Sequence, residues 1–513
     1  MSGWVDQRTV AVARDEARYA KHPPFHPSEA YPEWPGAPVS TEDNPGFRAV
    51  RRALLALGLD AAAAGTPGWN PLGALVPRGG TVVVKPNLVT HANHAAVFGV
   101  TDTDCLVTHG SVIRALVDYA ARALGGAGKV IVADCPLQGA DWDGLMAVTG
   151  LPAIRDDAAA RFPGVEFELR DLRLAKAKVW RGQVVARVVD EGGRARYTEV
   201  DLGARSLLMP LMRPGYAFGV THYARARMRP AHTPERNCYL LPKDILAADL
   251  FVNVPKMKIH QKAGITCALK NLVGINGHKD YLPHFRFGSP RQGGDEYPDG
   301  GWPWDLVSAL AHADWEREGG AVKRGLLLAR AALQKAFLVT GLLTRDQVFQ
   351  AGGAWHGNDT LWRTVLDINR ALLYWDRARG GVHEDAAPRA YLTVLDGLVA
   401  GHRDGPLAPH PYPAGAVLAA RNPAAMDAAA AAFMGLDPAR IPQVRHAFEG
   451  GALPLTSFRL EDVELLGDLS ARSLEALRLG DDHHALEPSV GWRGHVEATA
   501  ADLQAPPLER SNA

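Results

Sequence analysis

Lys256, Lys258 and His260 alternate along Pro255-Lys256-Met257-Lys258-Ile259-His260, and Lys270-Asn271 follow a short way down the chain. The apolar run Ala248-Asp249-Leu250-Phe251-Val252-Asn253-Val254 leads straight into them, so the order reads as a buried strand that stops in a cluster of cations. Like charges gathered at a strand end need a counter-charge or must lose protons. An anionic ligand, or a metal with anionic ligands, is therefore expected beside Lys256, Lys258 and Lys270. A histidine among lysines is expected to be neutral near physiological pH, which gives His260 the chemistry of an acid/base group or a metal ligand.

Ligands of open parallel sheets bind outside the carboxyl ends of the strands. Four apolar runs end here in Lys85-Pro86-Asn87, Asp134-Cys135-Pro136, Asn253-Val254-Pro255-Lys256 and Asp396-Gly397. They would assemble one polar cleft in which Lys256, Lys258 and His260 are catalytic candidates. Lys85, Asn87, Lys270 and Asn271 would hold substrate, and Asp134 with Asp396 would hold a divalent cation or a substrate hydroxyl. A glycine-rich stretch, Gly288-Ser289-Pro290-Arg291-Gln292-Gly293-Gly294, has the make-up of a binding loop or lid and adds Ser289 and Arg291 to the substrate-binding set. Simpler readings hold elsewhere. Thr108-His109-Gly110 reads as a helix cap, and Cys267 reads as a small buried hydrophobe. No Walker loop, no GxGxxG, no Gly-x-Ser-x-Gly elbow and no zinc-type ligand spacing occurs.

The elements that must carry these residues follow from periodicity. Thr81-Val82-Val83-Val84-Lys85, a helix from about Ser111 to a stop at Gly125-Gly126, and Lys129-Val130-Ile131-Val132-Ala133-Asp134 make a strand–helix–strand unit, which closes right-handed around a parallel sheet. The fold class expected is α/β: a doubly wound, mostly parallel sheet with an inserted β-rich subdomain and a helical segment. The boundaries read as an irregular arm over 1–45, a first core part over 46–162 and the β-rich insert over 163–245. The lysine-rich core and glycine-rich loop span 246–300, a helical segment 301–380, the last core part 381–475 and a peripheral tail 476–513.

The 513 residues carry a formal net charge of zero, with 47% hydrophobic and 22% charged residues. That balance argues against a nucleic-acid partner. No apolar stretch is long enough for a membrane span and no signal peptide opens the chain, so a cytoplasmic protein without a membrane partner is expected. The four cysteines are widely spaced, with no CxxC; no iron–sulfur cluster is expected and a reducing compartment suits them.

The segments VVVKPN at 82–87, KVIVADCP at 129–136, VNVPKMKIHQKAGITCALKNLVGI at 252–275 and VLDGLVAGHRDGP at 394–406 resemble the prokaryotic family known as domain of unknown function 362. Asn422-Pro423 with Asp427 fits its late segment. The resemblance spans about 80 to 470 and implies a shared set: Lys85, Asn87, Asp134, Lys256, Lys258, His260, Lys270, Asn271, Asp396 and Asp427. Some relatives append ferredoxin-like clusters, which this chain lacks. The family is also similar, at the level of fold, to the N-terminal domain of the lactate-racemase group, whose members hold a nickel-pincer cofactor through lysine and histidine. Three functional expectations result. The first is an enzyme acting on a small anionic metabolite, carboxylate or phosphate, with the reaction type open. The second is a non-catalytic anion- or cofactor-binding protein, and the third, implied by resemblance alone, is a nickel-pincer racemase-like enzyme.

Overall fold

The computed structural model describes residues 3–180, 183–221, 227–316 and 320–498. The central sheet is built from ten described strands. They are β1 (Thr9–Arg14), β2 (Thr81–Pro86), β3 (Lys129–Asp134), β4 (Glu166–Asp171), β5 (Leu250–Val254), β6 (Lys256–His260), β7 (Gly264–Ile265), β8 (Ala390–Asp404), β9 (Ala408–Ala420) and β10 (Glu464–Gly467). The order across the sheet is β10-β1-β9-β8-β5-β2-β3-β4, with β6 beside β8 and β7 beside β6. From β8 through β4 every neighbour is parallel, whereas the β8–β9 hairpin and β1 against β9 are antiparallel.

The inner strands are apolar on both faces because both faces are covered. Val82, Val84, Val130, Val132, Leu250 and Val252 point to one layer, where α1 (Pro45–Ala56) and α2 (Gly110–Leu124) bring Phe47, Leu54, Leu116 and Tyr119. The alternating Val83, Ile131 and Phe251 point to the other, where a helix at Leu361–Leu373 brings Leu361, Val365, Ile368 and Leu372. Each such side chain contributes roughly 1.5–3 kcal/mol on burial. Chain caps fix the helix ends: Asn44 accepts from Phe47 N at the start of α1, and Gly125 takes the left-handed conformation after α2.

β2, β3 and β4 succeed one another to one side, while β5 lies on the other side of β2. The reversal of strand order falls between β2 and β5, and the carboxyl ends at such a reversal are where doubly wound sheets bind ligands.

Four expectations change. The arm at 1–45 is not wholly irregular, since β1 pairs with β9 and β10 inside the sheet. Glu166–Asp171, expected in the insert, is a core strand paired with β3; the hairpin Ala175–Trp180/Gln183–Val189 and the three-stranded sheet of Tyr197–Asp201, His232–Thr233 and Arg236–Pro242 follow it. The strand does not stop before the lysines: after Pro255 it resumes as β6, parallel to the outer half of β8, with a register shift between Lys256 and Lys258. The tail is not peripheral as far as residue 498, because Trp492 is buried and its indole N–H donates to Gln261 O at 2.7 Å. Residues 499–513 of that tail lie outside the described residues. Among the described residues no helix is long and apolar enough to cross a membrane.

Candidate functional site

Alternation along β6 sends Met257 and Ile259 into the layer beneath the Ala-rich helix Pro423–Phe433, and Lys256 and Lys258 to the opposite face. Lys256 there donates to Asp396 Oδ2 at 3.0 Å and to the Tyr19 hydroxyl at 2.7 Å. Tyr19 donates to Asp396 Oδ1, accepts from Val399 N at 3.1 Å and stacks on His109 with ring centroids 4.1 Å apart. Asp396 Oδ2 also accepts from His109 N at 2.9 Å. Every polar atom of this group is used within the protein, and both charges have no solvent exposure.

A second buried pair forms where β2 meets β3. Lys85 Nζ lies 2.6 Å from Asp134 Oδ1 and also donates to Pro86 O at 2.8 Å and Asn271 Oδ1 at 3.1 Å. Asp134 accepts further from Cys135 N at 2.9 Å and Leu88 N at 2.7 Å. Burial pushes the Lys85 ammonium down and the Asp134 carboxyl up, each opposed by the other's charge. The short contact and two backbone donors favour the charged pair. Gly274 makes this packing feasible, since a Cβ there would sit 2.4 Å from Asp134 Oδ1 and 2.7 Å from Lys85 Nζ.

Asn271 joins the pair to the cleft. Its Oδ1 accepts from Lys85 and, at 3.0 Å, from Asn87 Nδ2, and its Nδ2 donates to Asn253 Oδ1 at 2.7 Å and Lys85 O at 3.3 Å. Asn87 Oδ1 in turn accepts from Lys258 Nζ at 3.0 Å. The short helix Cys267–Asn271 carries Lys270 and Asn271, and buried Asp427 anchors its start by accepting from Ala268 N at 2.6 Å and Leu269 N at 3.2 Å.

Beyond this network lie Lys258, Lys262 and Lys270, which make no ion pair among the described residues, and with them Lys279, His260 and His284. Lys258 is fully buried and donates to the neutral oxygens of Asn87, Leu106 (2.7 Å) and Pro406 (3.4 Å). Burial, with Lys256 and Lys270 nearby, lowers it to about 7. Lys262 donates to Thr221 Oγ1 at 2.9 Å and is lowered to about 7 by burial and by Lys279 and Lys270. The Lys270 side chain is part-buried, makes no hydrogen bond or ion pair among the described residues, and is lowered to about 8 by burial and Lys85. Lys279 is lowered to about 8, chiefly by burial. Burial and these cations hold His260 and His284 well below the usual imidazole range, so both are neutral.

The two imidazoles have opposite polarity. His260 Nδ1 accepts from Lys262 N at 3.0 Å, which leaves its proton on Nε2. His284 Nδ1 faces Leu282 O at 2.8 Å; a carbonyl only accepts, so Nδ1 carries the proton and Nε2 keeps a free lone pair. One ring is a donor and the other a base.

The sequence assignments are corrected accordingly. The side chains of Lys85, Lys256 and Asn271, expected to bind or act on substrate, are each hydrogen-bonded to neighbours within the protein. Asp134 and Asp396 do not share a cation. Each is the counter-ion of one lysine, and they stand three strand spacings apart, about 14 Å. His260 donates rather than accepts at Nε2. Ser289 and Arg291 lie elsewhere: Ser289 is buried in a cap with Gln292, and Arg291 is exposed and paired with Asp299 at 3.0 Å. Their loop borders a cavity of about 600 Å³ lined by Arg213, Tyr216, Arg286, Tyr297 and His312, with none of the lysines. Its Arg286, Tyr297 and His312 are already paired with Asp295, Asp305 and Glu296. Asn87, Lys258, Lys270 and His260 do converge. Lys262, Lys279 and His284 join them; Lys262 continued the every-second-residue pattern of Lys256, Lys258 and His260, whereas His284 fits no zinc-ligand spacing and reads from sequence as a structural histidine.

No group of three or more His, Cys, Asp or Glu able to hold a metal exists among the described residues. With His260 protonated on Nε2, His284 is the one imidazole lone pair described in the cleft. This donor set does not fit a metal ion held by protein ligands alone.

A family model described as "Domain of unknown function (DUF362)" matches residues 82–191 and 221–432, which include every residue of the cleft and its framework except Tyr19. The chain belongs to that family. Lys85, Asp134, Lys256, Lys270, Asn271 and Asp427 all fall within the matched DUF362 segments. A search of curated proteins returns no match.

Proposed function

We propose that the cleft binds a small anionic metabolite, through a carboxylate or phosphate, and acts on it by general acid–base chemistry. The observation that carries the reading is Lys270, an ammonium held at the cleft by a helix whose neighbouring Asn271 is locked into the framework, and left without an anion of its own. Lys262 and Lys279 surround the same space electrostatically. A bound anion would restore their protons and offset the repulsion. Next to it, His284 Nε2 would take a proton, and Lys258 or His260 Nε2–H would give one to developing negative charge. Removal of one well-placed donor of this kind slows reactions by about a hundredfold or more.

The test begins with native mass spectrometry of the freshly purified protein for a co-purifying anion, followed by calorimetric titration of inorganic phosphate and simple carboxylates. Lys270→Ala is expected to abolish binding. His284→Gln is expected to keep binding and abolish conversion of whichever bound metabolite turns over. If wild type binds an anion with no conversion and His284→Gln changes nothing, the protein is a carrier. Undiminished binding by Lys270→Ala would end both readings.

A further inference from the structure

The helix Gly320–Val339 packs, among the described elements, chiefly on the helix Gly301–Trp315, away from the sheet. Its inner face is accounted for: Leu333, Phe337 and Leu338 pack with Trp304 and Val307, while Lys323 and Arg330 approach Asp314 at 3.5 and 3.8 Å. Its outer face is not. Val322, Leu328 and Val339 are 62%, 72% and 79% exposed, and Ala321, Gly325, Ala329, Ala332 and Ala336 are exposed between them. At 3.6 residues per turn these positions fill a continuous apolar sector of about 120°. Arg324 and Lys335 are exposed along one edge of that sector and make no ion pair among the described residues. The helix holds four cations and no carboxylate. Trp302 of the neighbouring helix is 62% exposed and packs edge-on against Phe337.

We infer that this hairpin docks the protein on an anionic lipid surface, the apolar sector entering the headgroup boundary while Arg324 and Lys335 meet lipid phosphates. Apolar residues on one face, cations at its border and an exposed tryptophan are the features of an interfacial helix. Charge decides against a second copy. A two-fold axis between Ala329 and Arg330 would set Arg324 of one copy against Lys335 of the other, and like charges repel. Such docking differs from spanning a membrane and is independent of the lysine cleft.

Flotation of the full chain with vesicles tests it, using phosphatidylcholine alone and phosphatidylcholine mixed with phosphatidylglycerol. Binding to the anionic vesicles, suppressed by salt, is expected. Arg324→Gln with Lys335→Gln should weaken partitioning about thirtyfold, at the usual worth of two basic residues near such a surface. Leu328→Asp should abolish it. All three positions are exposed, so unchanged thermal unfolding will show that the variants fold. Absence of binding to anionic vesicles, or binding indifferent to both variants, overturns the inference. So does a dimer in sedimentation that Leu328→Asp dissociates while vesicles go unbound, which would give the face to a second copy.

Discussion

Replacing Lys258 by methionine should change the pH dependence of stability in a calculable way. Burial holds Lys258 at about 7, against 10.5 in the unfolded chain. The unfolded state therefore binds more protons between those values, and stability must rise with pH across that window. The penalty is complete below the folded value and fades towards the unfolded one. With 1.36 kcal/mol per unit, it amounts to about 4.7 kcal/mol near pH 6 and about 2 kcal/mol near pH 9. Methionine removes this dependence and also the donation to Asn87 and Leu106, a loss of about 1 kcal/mol each that does not vary with pH. Urea unfolding of wild type and Lys258→Met near pH 6 and pH 9 isolates the first effect. The variant's advantage over wild type should be greater at the lower pH by about 2–3 kcal/mol. An equal difference at both values would show that Lys258 is not strained, and the reasoning about an anion-seeking cleft would lose its electrostatic basis.

Asp134→Ala strands the Lys85 cation in the core and should cost about 3–5 kcal/mol in chemical denaturation, whereas Lys85→Met with Asp134→Leu should recover most of it. Gly274→Ala places a methyl group against both charges of that pair, so its midpoint should fall comparably while circular dichroism still reports an α/β protein. Trp492→Ala removes a buried indole and its bond to Gln261 O, with an expected loss of about 3–5 kcal/mol; an unchanged melting temperature would mean the tail does not contribute to the core.

The sequence by itself determined the inner strands β2 and β3 and their ends, whereas Asp396-Gly397, read as a strand end, lies part-way along β8. Lys129–Asp134 and the helix that stops at Gly125 appear as the pattern predicts, because apolar runs and caps are local signals. The alternation of Lys256, Lys258 and His260 likewise announced a shared neighbourhood. Whether each cation was free or spoken for was not local information. Asp134 became the counter-ion of Lys85 through the pairing of β3 with β2, and Asp396 that of Lys256 through the passage of β6 along β8. Tyr19, from a segment that reads as an irregular arm, closed the second group. Two of the expected site lysines were thereby neutralised inside the framework, and Lys270, on a helix tied down by the distant Asp427, was left facing the cleft. A charge's function depends on the free energy of its surroundings, and those surroundings come from strands and helices far apart in the chain.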